Sequence, residues 1–290
     1  MKLIREFDPW RNKLCTCPPK YTFNPYTGCR FSCRYCYITS YIKDGFNPRR
    51  KDISLYTLEK DIAKVSRTRK PLALSLSTDP YQPLENRYRM TYKILKLLKK
   101  YGVPTLITTK SPLILRDIDI LQDMNVVVSL TITSLDMDKA SKLEPYAPSP
   151  KARLETARKL SMHDIPVVIR IDPIIPSITD GEREINHLIH KCSESGARHI
   201  VASIYKSKPD NLKRMIDKFP NFRITYQKIY GDGNRINGYR YPDRKYSFKI
   251  LSYVKKTAEK YGLTFNTCRD GLEHLDTIGC YCDGSHLLHQ

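Results

Sequence analysis

What constrains this chain most is the order of its strand and helix patterns. From about Thr22 onward, short β-branched runs alternate with segments of helical periodicity, the pattern of a parallel sheet joined by crossover helices. Strands are expected at Tyr21–Tyr26, Leu72–Ser77, Thr105–Thr109, Val126–Thr131, Val167–Ile171 and His199–Ser203. Helices are expected at Leu55–Arg67, Tyr88–Tyr101, Leu113–Gln122, Lys151–His163, Glu182–Glu194 and Asn211–Phe219. Tyr101-Gly102-Val103-Pro104 and Met162-His163-Asp164-Ile165-Pro166 each close a helix and open a strand. Six such units with no long linker predict an α/β fold, a partial (β/α)6 TIM-type barrel with a cysteine-containing C-terminal extension.

The expected organisation is an N-terminal arm over 1–20, the partial barrel over 21–220, and a basic, tyrosine-rich extension over 221–290. The extension is irregular from Gly231 to Gly238 and resumes as a helix across Ser247–Tyr261. Strand ends of such barrels carry chemistry because polar groups there line one mouth. Here they read Cys29, then Ser77-Thr78-Asp79, then Lys110-Ser111, then Ser129 and Thr131, then Arg170-Ile171-Asp172.

Nine cysteines are an odd number in a chain of 290 residues, which is too large to need disulfide staples. Cys29-x-x-x-Cys33-x-x-Cys36 places three thiols directly behind the first strand. Three thiolates cap three corners of a [4Fe-4S] cubane and leave one iron open. A four-cysteine zinc site would need a second pair nearby, and the following segment offers none at the usual spacing. Cys15 and Cys17 before the barrel, with Cys268, Cys280 and Cys282 at its far end, form a candidate second metal site for another Fe–S cluster or zinc. His274, His286 and His289 are candidates to complete it; the alternative is unpaired thiols on a flexible arm. Cys192 stands alone and reads as a small buried residue on a helix.

The net charge of +20 points to a polyanionic partner, nucleic acid first. Between Asn221 and Lys256 nine Lys and Arg residues face only Asp232 and Asp243, interleaved with Tyr226, Tyr230, Tyr239, Tyr241, Tyr246 and Tyr253. Basic groups contact phosphates and tyrosine rings stack on unpaired bases. The competing reading is a solvated charged surface with tyrosines packed on the core. No stretch reaches the roughly 18 apolar residues of a membrane span, and the start lacks the apolar core of a signal peptide, so a cytoplasmic protein without membrane contact is expected.

The cysteine loop Asn24-Pro25-Tyr26-Thr27-Gly28-Cys29, with Cys33 and Cys36-Tyr37, resembles that of radical S-adenosylmethionine (SAM) enzymes. Three further phrases make the chain similar to their spore photoproduct lyase-like branch, over roughly Thr22 to Ile204. They are Thr78-Asp79-Pro80-Tyr81-Gln82-Pro83-Leu84-Glu85, Thr109-Lys110-Ser111-Pro112 through Arg116-Asp117, and Leu143-Glu144-Pro145-Tyr146 followed by Asp172-Pro173-Ile174-Ile175-Pro176.

The resemblance implies that SAM chelates the open iron, that one electron cleaves its sulfonium bond, and that a 5′-deoxyadenosyl radical abstracts hydrogen from a substrate. By position it assigns Ser77, Thr78 and Asp79 to the SAM amino group, Lys110 to the carboxylate, Ser129 to the ribose, and Tyr35 or Tyr37 to the adenine. It also implies an electron donor such as ferredoxin or flavodoxin. The lyase resembled here uses a cysteine near the end of the second strand to quench the product radical. Leu74–Asp79 contains none, so the resemblance does not extend to that step.

The expected function is therefore repair or modification of a nucleic acid by a radical SAM enzyme. A peptide or small metabolite as substrate is the alternative, and a non-catalytic, metal-stabilised nucleic-acid-binding protein is the alternative of another class.

Overall fold

The structure, a computed structural model, describes residues 3–7, 12–231 and 233–289; Asp232 of the basic segment and parts of the N-terminal arm lie outside these residues. Seven parallel strands stand side by side in chain order: β1 (Tyr21–Phe23), β2 (Leu72–Leu74), β3 (Thr105–Thr109), β4 (Val126–Thr131), β5 (Val167–Ile174), β6 (His199–Ile204) and β7 (Thr264–Thr267). A short strand, Arg5–Glu6, pairs antiparallel with β1 at the open edge. Each parallel neighbour requires a crossover, and the intervening segments supply helices. They include α1 (Leu55–Ser66), α2 (Met90–Lys100), α3 (Pro150–Met162), α4 (Glu182–Glu194), α5 (Pro209–Lys218), α6 (Phe222–Tyr230) and α7 (Arg244–Lys260). The α/β partial barrel expected from the pattern is the architecture found.

Local chemistry sets these elements. The Ser54 side chain caps α1 by accepting from Thr57 N–H, and α1 buries Leu58, Ile62 and Val65 on one helical stripe. Ser149 caps α3 and Pro150 opens it. All six residues of β4 are buried, because helices cover one face and the lumen covers the other. Val128 and Leu130 face the helices. Ala73, Leu106, Val127, Val168 and Val201 form one layer inside the barrel, where Cys17, Cys282, Leu287 and Leu288 pack against them. The chain ends thus fill the lumen.

Several boundaries differ from expectation. The first strand splits, since Tyr26–Thr27 leaves the main sheet to pair with Arg49–Arg50. The second stops at Leu74 because Ser75 takes φ 65° and turns the backbone away. Arg89, at φ 49°, separates the short helix Leu84–Tyr88 from α2. Leu113–Gln122 is a 3-10 turn over Pro112–Asp117 followed by a short helix over Ile118–Gln122. The helices Met137–Leu143 and α6 had no clear sequence signal. β7 was also missed, because Thr-Phe-Asn-Thr is only four residues long and is interrupted by Asn, which strands disfavour. It pairs with β6, so the segment after residue 220 is partly barrel wall.

The tyrosines of the basic segment are anchors. Among Tyr226, Tyr230, Tyr239, Tyr241, Tyr246 and Tyr253 none is exposed. Tyr226 stacks on Tyr230 within an apolar cluster that includes Tyr205 and Phe222. The Tyr246 hydroxyl donates to Asp180 and the Tyr253 hydroxyl to the Glu182 carbonyl. The expectation that these rings stack on bases is corrected for this reason. What the segment presents to solvent is charge: Arg223, Lys228, Arg235, Arg244, Lys245, Lys249 and Lys256 are exposed.

Phe265 on β7 is fully buried. Phe265→Ala is expected to cost about 3–5 kcal/mol of unfolding free energy, read from the shift in urea midpoint. A change within about 0.5 kcal/mol would mean that this strand is not part of the cooperative core.

Candidate active site

The loop carrying Cys29, Cys33 and Cys36 is held from three directions. Behind β1 the chain turns at Gly28, whose φ is 79° and where a Cβ would sit 2.7 Å from the Gly45 carbonyl oxygen, so only glycine fits. Cys29 N–H donates to that same carbonyl at 2.8 Å. From the end of β2, the Thr78 hydroxyl and Gln82 Nε2 both donate to the Gly28 carbonyl, while Gln82 Oε1 accepts from Arg30 N–H at 3.0 Å. From α5, Arg214 donates to the carbonyls of Arg34 and Cys36 at 3.1 and 2.7 Å.

A buried carboxylate couples this latch to β3. Asp79 accepts from Tyr81 N–H, the Thr109 hydroxyl and Lys110 N–H at 2.9, 2.7 and 2.8 Å. The fully buried Glu85 accepts from Thr91 and Tyr92 N–H and pairs with Arg116 at 2.8 Å. The Thr78–Glu85 and Thr109–Asp117 phrases therefore lock into one another. Thr78 and Asp79, expected at the SAM amino group, line the cavity but direct these bonds inward to the protein.

The three thiols open onto a cavity of about 450 Å³, within the usual range of small-molecule sites. Burial raises all three thiol pKa values, that of Cys33 to about 12. Backbone N–H groups work in the opposite direction: that of Phe31 is aimed at Cys29, and those of Ile38 and Tyr37 at Cys36. Such donors compensate negative sulfur, and together with three unpaired thiols on one loop they fit a three-cysteine iron–sulfur cluster.

Ser77, Lys110 and Tyr37 line the same cavity. The Tyr37 hydroxyl donates to the Leu76 carbonyl at 2.9 Å, which fixes its ring beside Cys36. Ser129 is buried on β4 but is not part of the cavity wall; Thr131, two residues further along the same strand face, is.

Sequence reasoning missed the role of Glu144 and Arg153. They form a buried ion pair at 2.5 Å, and the Tyr35 hydroxyl also donates to Glu144. Lys110 Nζ lies 4.0 Å from the same carboxylate. Burial alone would lower the Lys110 pKa, but Cys33 and Glu144 reverse this and raise it, so a cation faces the thiols. Burial likewise opposes Glu144 ionisation, and Arg153 and Lys110 outweigh it, holding the carboxyl below its usual range. The signal available in sequence was the Leu143-Glu144-Pro145-Tyr146 phrase, which gives no indication of its partner.

The remaining cysteines divide. Cys17 Sγ lies 3.2 Å from Cys282 Sγ, and Cys268 Sγ lies 3.5 Å from Arg170 Nη2. Cys280 does not join them. It lies with His199 and His286, and its carbonyl accepts from Asn266 Nδ2 at 3.2 Å. His274 stacks on Phe248, and the His289 backbone pairs with Asn125, so neither histidine meets the thiols.

Glu144→Gln leaves Arg153 buried without its counter-ion, and a loss of about 3–5 kcal/mol is expected at neutral pH. Because the folded-state pKa of Glu144 is lowered, its contribution is present above the unfolded value and disappears as pH falls through the folded one. The gap in urea midpoint between the two proteins should accordingly narrow below about pH 4.3. A gap that is constant with pH would exclude this pairing.

Residues 23–189 match the Radical SAM superfamily. An uncharacterized protein of Methanocaldococcus jannaschii is 31% identical over 82% of this chain and 86% of its own length. An uncharacterized protein of Mycobacterium bovis is 29% identical over 63% of this chain, and the match spans only 58% of that relative. Among solved structures, spore photoproduct lyase with bound AdoMet and dinucleoside spore photoproduct aligns with a TM-score of 0.67 at 16% identity, over 84% of this chain and 75% of that one. The match over more than half its length, with the barrel and the cysteine loop at its mouth, makes this chain a member of the radical SAM superfamily.

Proposed function

We propose that this enzyme holds a [4Fe-4S] cluster on Cys29, Cys33 and Cys36, binds SAM beside it, and directs radical chemistry to a nucleic acid. When bound, the cluster and SAM supply a 5′-deoxyadenosyl radical able to abstract hydrogen. The observation that carries the reading is the single cavity into which the three thiols, Lys110 and Tyr37 open. Lys110 offers a cation to a carboxylate, Ser77 a hydroxyl to a polar head, and Tyr37 a ring face to a base. The electron would come from a small reduced carrier such as ferredoxin or flavodoxin.

The net charge of +20 and the exposed cations of α6 and α7 support a polyanionic substrate. Arg269, Arg170 and Lys206 carry positive charge to the cavity wall itself. Among the described residues no helix is long and apolar enough to cross a membrane.

Anaerobically reconstituted protein should form 5′-deoxyadenosine from SAM under reduction, and Cys33→Ala should fall to the reagent blank. Binding to RNA or single-stranded DNA should weaken steeply with salt. The double variant Lys245→Glu, Lys249→Glu should lower that slope by about 2, one unit per lost phosphate contact. Absence of binding to either nucleic acid at low salt would overturn the substrate class while leaving SAM cleavage intact.

A further inference from the structure

A second group of donors meets inside the barrel, away from the three-cysteine loop. His199 opens β6 and pairs in register with Thr264 of β7. Val201, two residues further along the same strand face, belongs to the inner valine layer, so His199 faces the lumen below that layer, away from the mouth. Cys280 and His286 reach it from the C-terminal segment, and the two imidazole rings stand 4.7 Å apart, edge to face. Among the described residues these three form a group whose possible ligand atoms all lie within 4.8 Å of one another. None of them lines the cavity of the three-cysteine loop.

The hydrogen bonds around this group leave it polar and unsatisfied. His199 is fully buried, and its Nδ1 meets the Thr264 hydroxyl at 2.8 Å. That hydroxyl donates to the Arg198 carbonyl at 3.2 Å, so it accepts from Nδ1–H and the lone pair of His199 is on Nε2. His199 Nε2 is buried without a partner, and so are His286 Nε2, Ser285 Oγ and Asn266 Oδ1. Asn266 Nδ2 donates to the Cys280 carbonyl at 3.2 Å, which ties this residue to the same segment. Buried polar atoms without partners are uncommon, and an ion or ordered water beside them accounts for such a run. The thiol distinguishes the two, because sulfur is a weak partner for water and a strong one for a metal that also takes imidazole. Burial holds His199 neutral, its pKa lowered to about 3, and the neutral ring is the form that ligates.

We propose that His199, Cys280 and His286 bind one zinc ion that ties the C-terminal segment to the wall strand β6. Two ring nitrogens and one thiolate, at about 2.0 and 2.3 Å from a tetrahedral metal, stand roughly 3.3–3.5 Å apart, so the donors close by no more than about 1.5 Å from their present separations. The Cys280 thiol loses its proton on binding. His286 Nδ1 accepts from Tyr281 N–H at 3.0 Å, and that bond is given up whichever ring nitrogen ligates, because Nδ1 then either holds the metal or carries the proton. Water takes the fourth position. The site is independent of the SAM reading, since none of its ligands belongs to the three-cysteine loop.

Full-length protein, purified anaerobically, reconstituted with iron and sulfide, then given zinc and freed of excess by gel filtration, should keep about one zinc per chain by elemental analysis. Cys280→Ser and His286→Gln, both at half-buried positions, should each lose that zinc, whereas Cys192→Ala should retain it. Zinc-edge X-ray absorption should find one sulfur and two imidazoles around the metal, which separates this site from zinc held by the other cysteines. Added zinc should also raise the melting temperature of the unaltered chain and leave that of Cys280→Ser where it was. The proposal is overturned if no zinc is retained, the result expected of ordered water alone, or if either substitution leaves the zinc content unchanged. It is equally overturned if the metal carries two or more sulfurs, or if zinc shifts the melting temperature of Cys280→Ser as much as that of the unaltered chain.

Discussion

The Asp79 carboxylate is the joint on which the site depends. It is buried and accepts three hydrogen bonds, two from backbone N–H groups and one from Thr109, so the loop after β2 and the end of β3 cannot move independently. Hydrogen bonds to a charged acceptor are roughly twice as strong as neutral ones, and burial shields them from competing water. Through Thr78 and Gln82 the same loop grips the Gly28 carbonyl, and with it the start of the cysteine loop. A site built this way is positioned by strand ends, with the cysteine loop clamped to them.

Charge is arranged in two layers around the cavity. On one side Glu144, Arg153, Tyr35 and Lys110 form a connected group facing Cys33. On the other, Arg170 pairs with Asp172 at 2.7 Å and Lys206 with Asp270 at 3.1 Å, close to Cys268. Burial pushes the Asp270 carboxyl up to about 6, with Lys206 opposing. Each cation is thus held by a carboxylate from the protein and still turned toward sulfur or the cavity. A site that must accept anionic sulfur and a zwitterionic ligand needs such paired charges, because an isolated one would be neutralised by a pKa shift.

Barrel closure follows a different logic. With a parallel sheet open at one edge, the lumen must be filled by something other than strands. Here the filling comes from both chain ends, with Leu287, Leu288, Cys282 and Cys17 packed on the inner layer of valine and alanine side chains. The same packing brings distant cysteines into contact and leaves Cys280 with two histidines instead.

Periodicity alone determined the order of six of the seven parallel strands, because each β-branched run is followed by a helical stripe. Spacing alone singled out the three-cysteine loop, since its thiols are local in sequence. Tertiary structure decided everything that depends on pairing between distant residues. Glu144 gives no sign in sequence that Arg153 neutralises it, and Thr78 and Asp79 read equally well as ligand contacts or as the latch they form. The tyrosines after Asn221 looked like a stacking surface, yet they are buried or half-buried, because an aromatic side chain gains more from packing than from water and composition does not say which face it takes. Likewise only the folded lumen separates Cys280, which lies with His199 and His286, from Cys282, which meets Cys17, although the two are two residues apart in sequence.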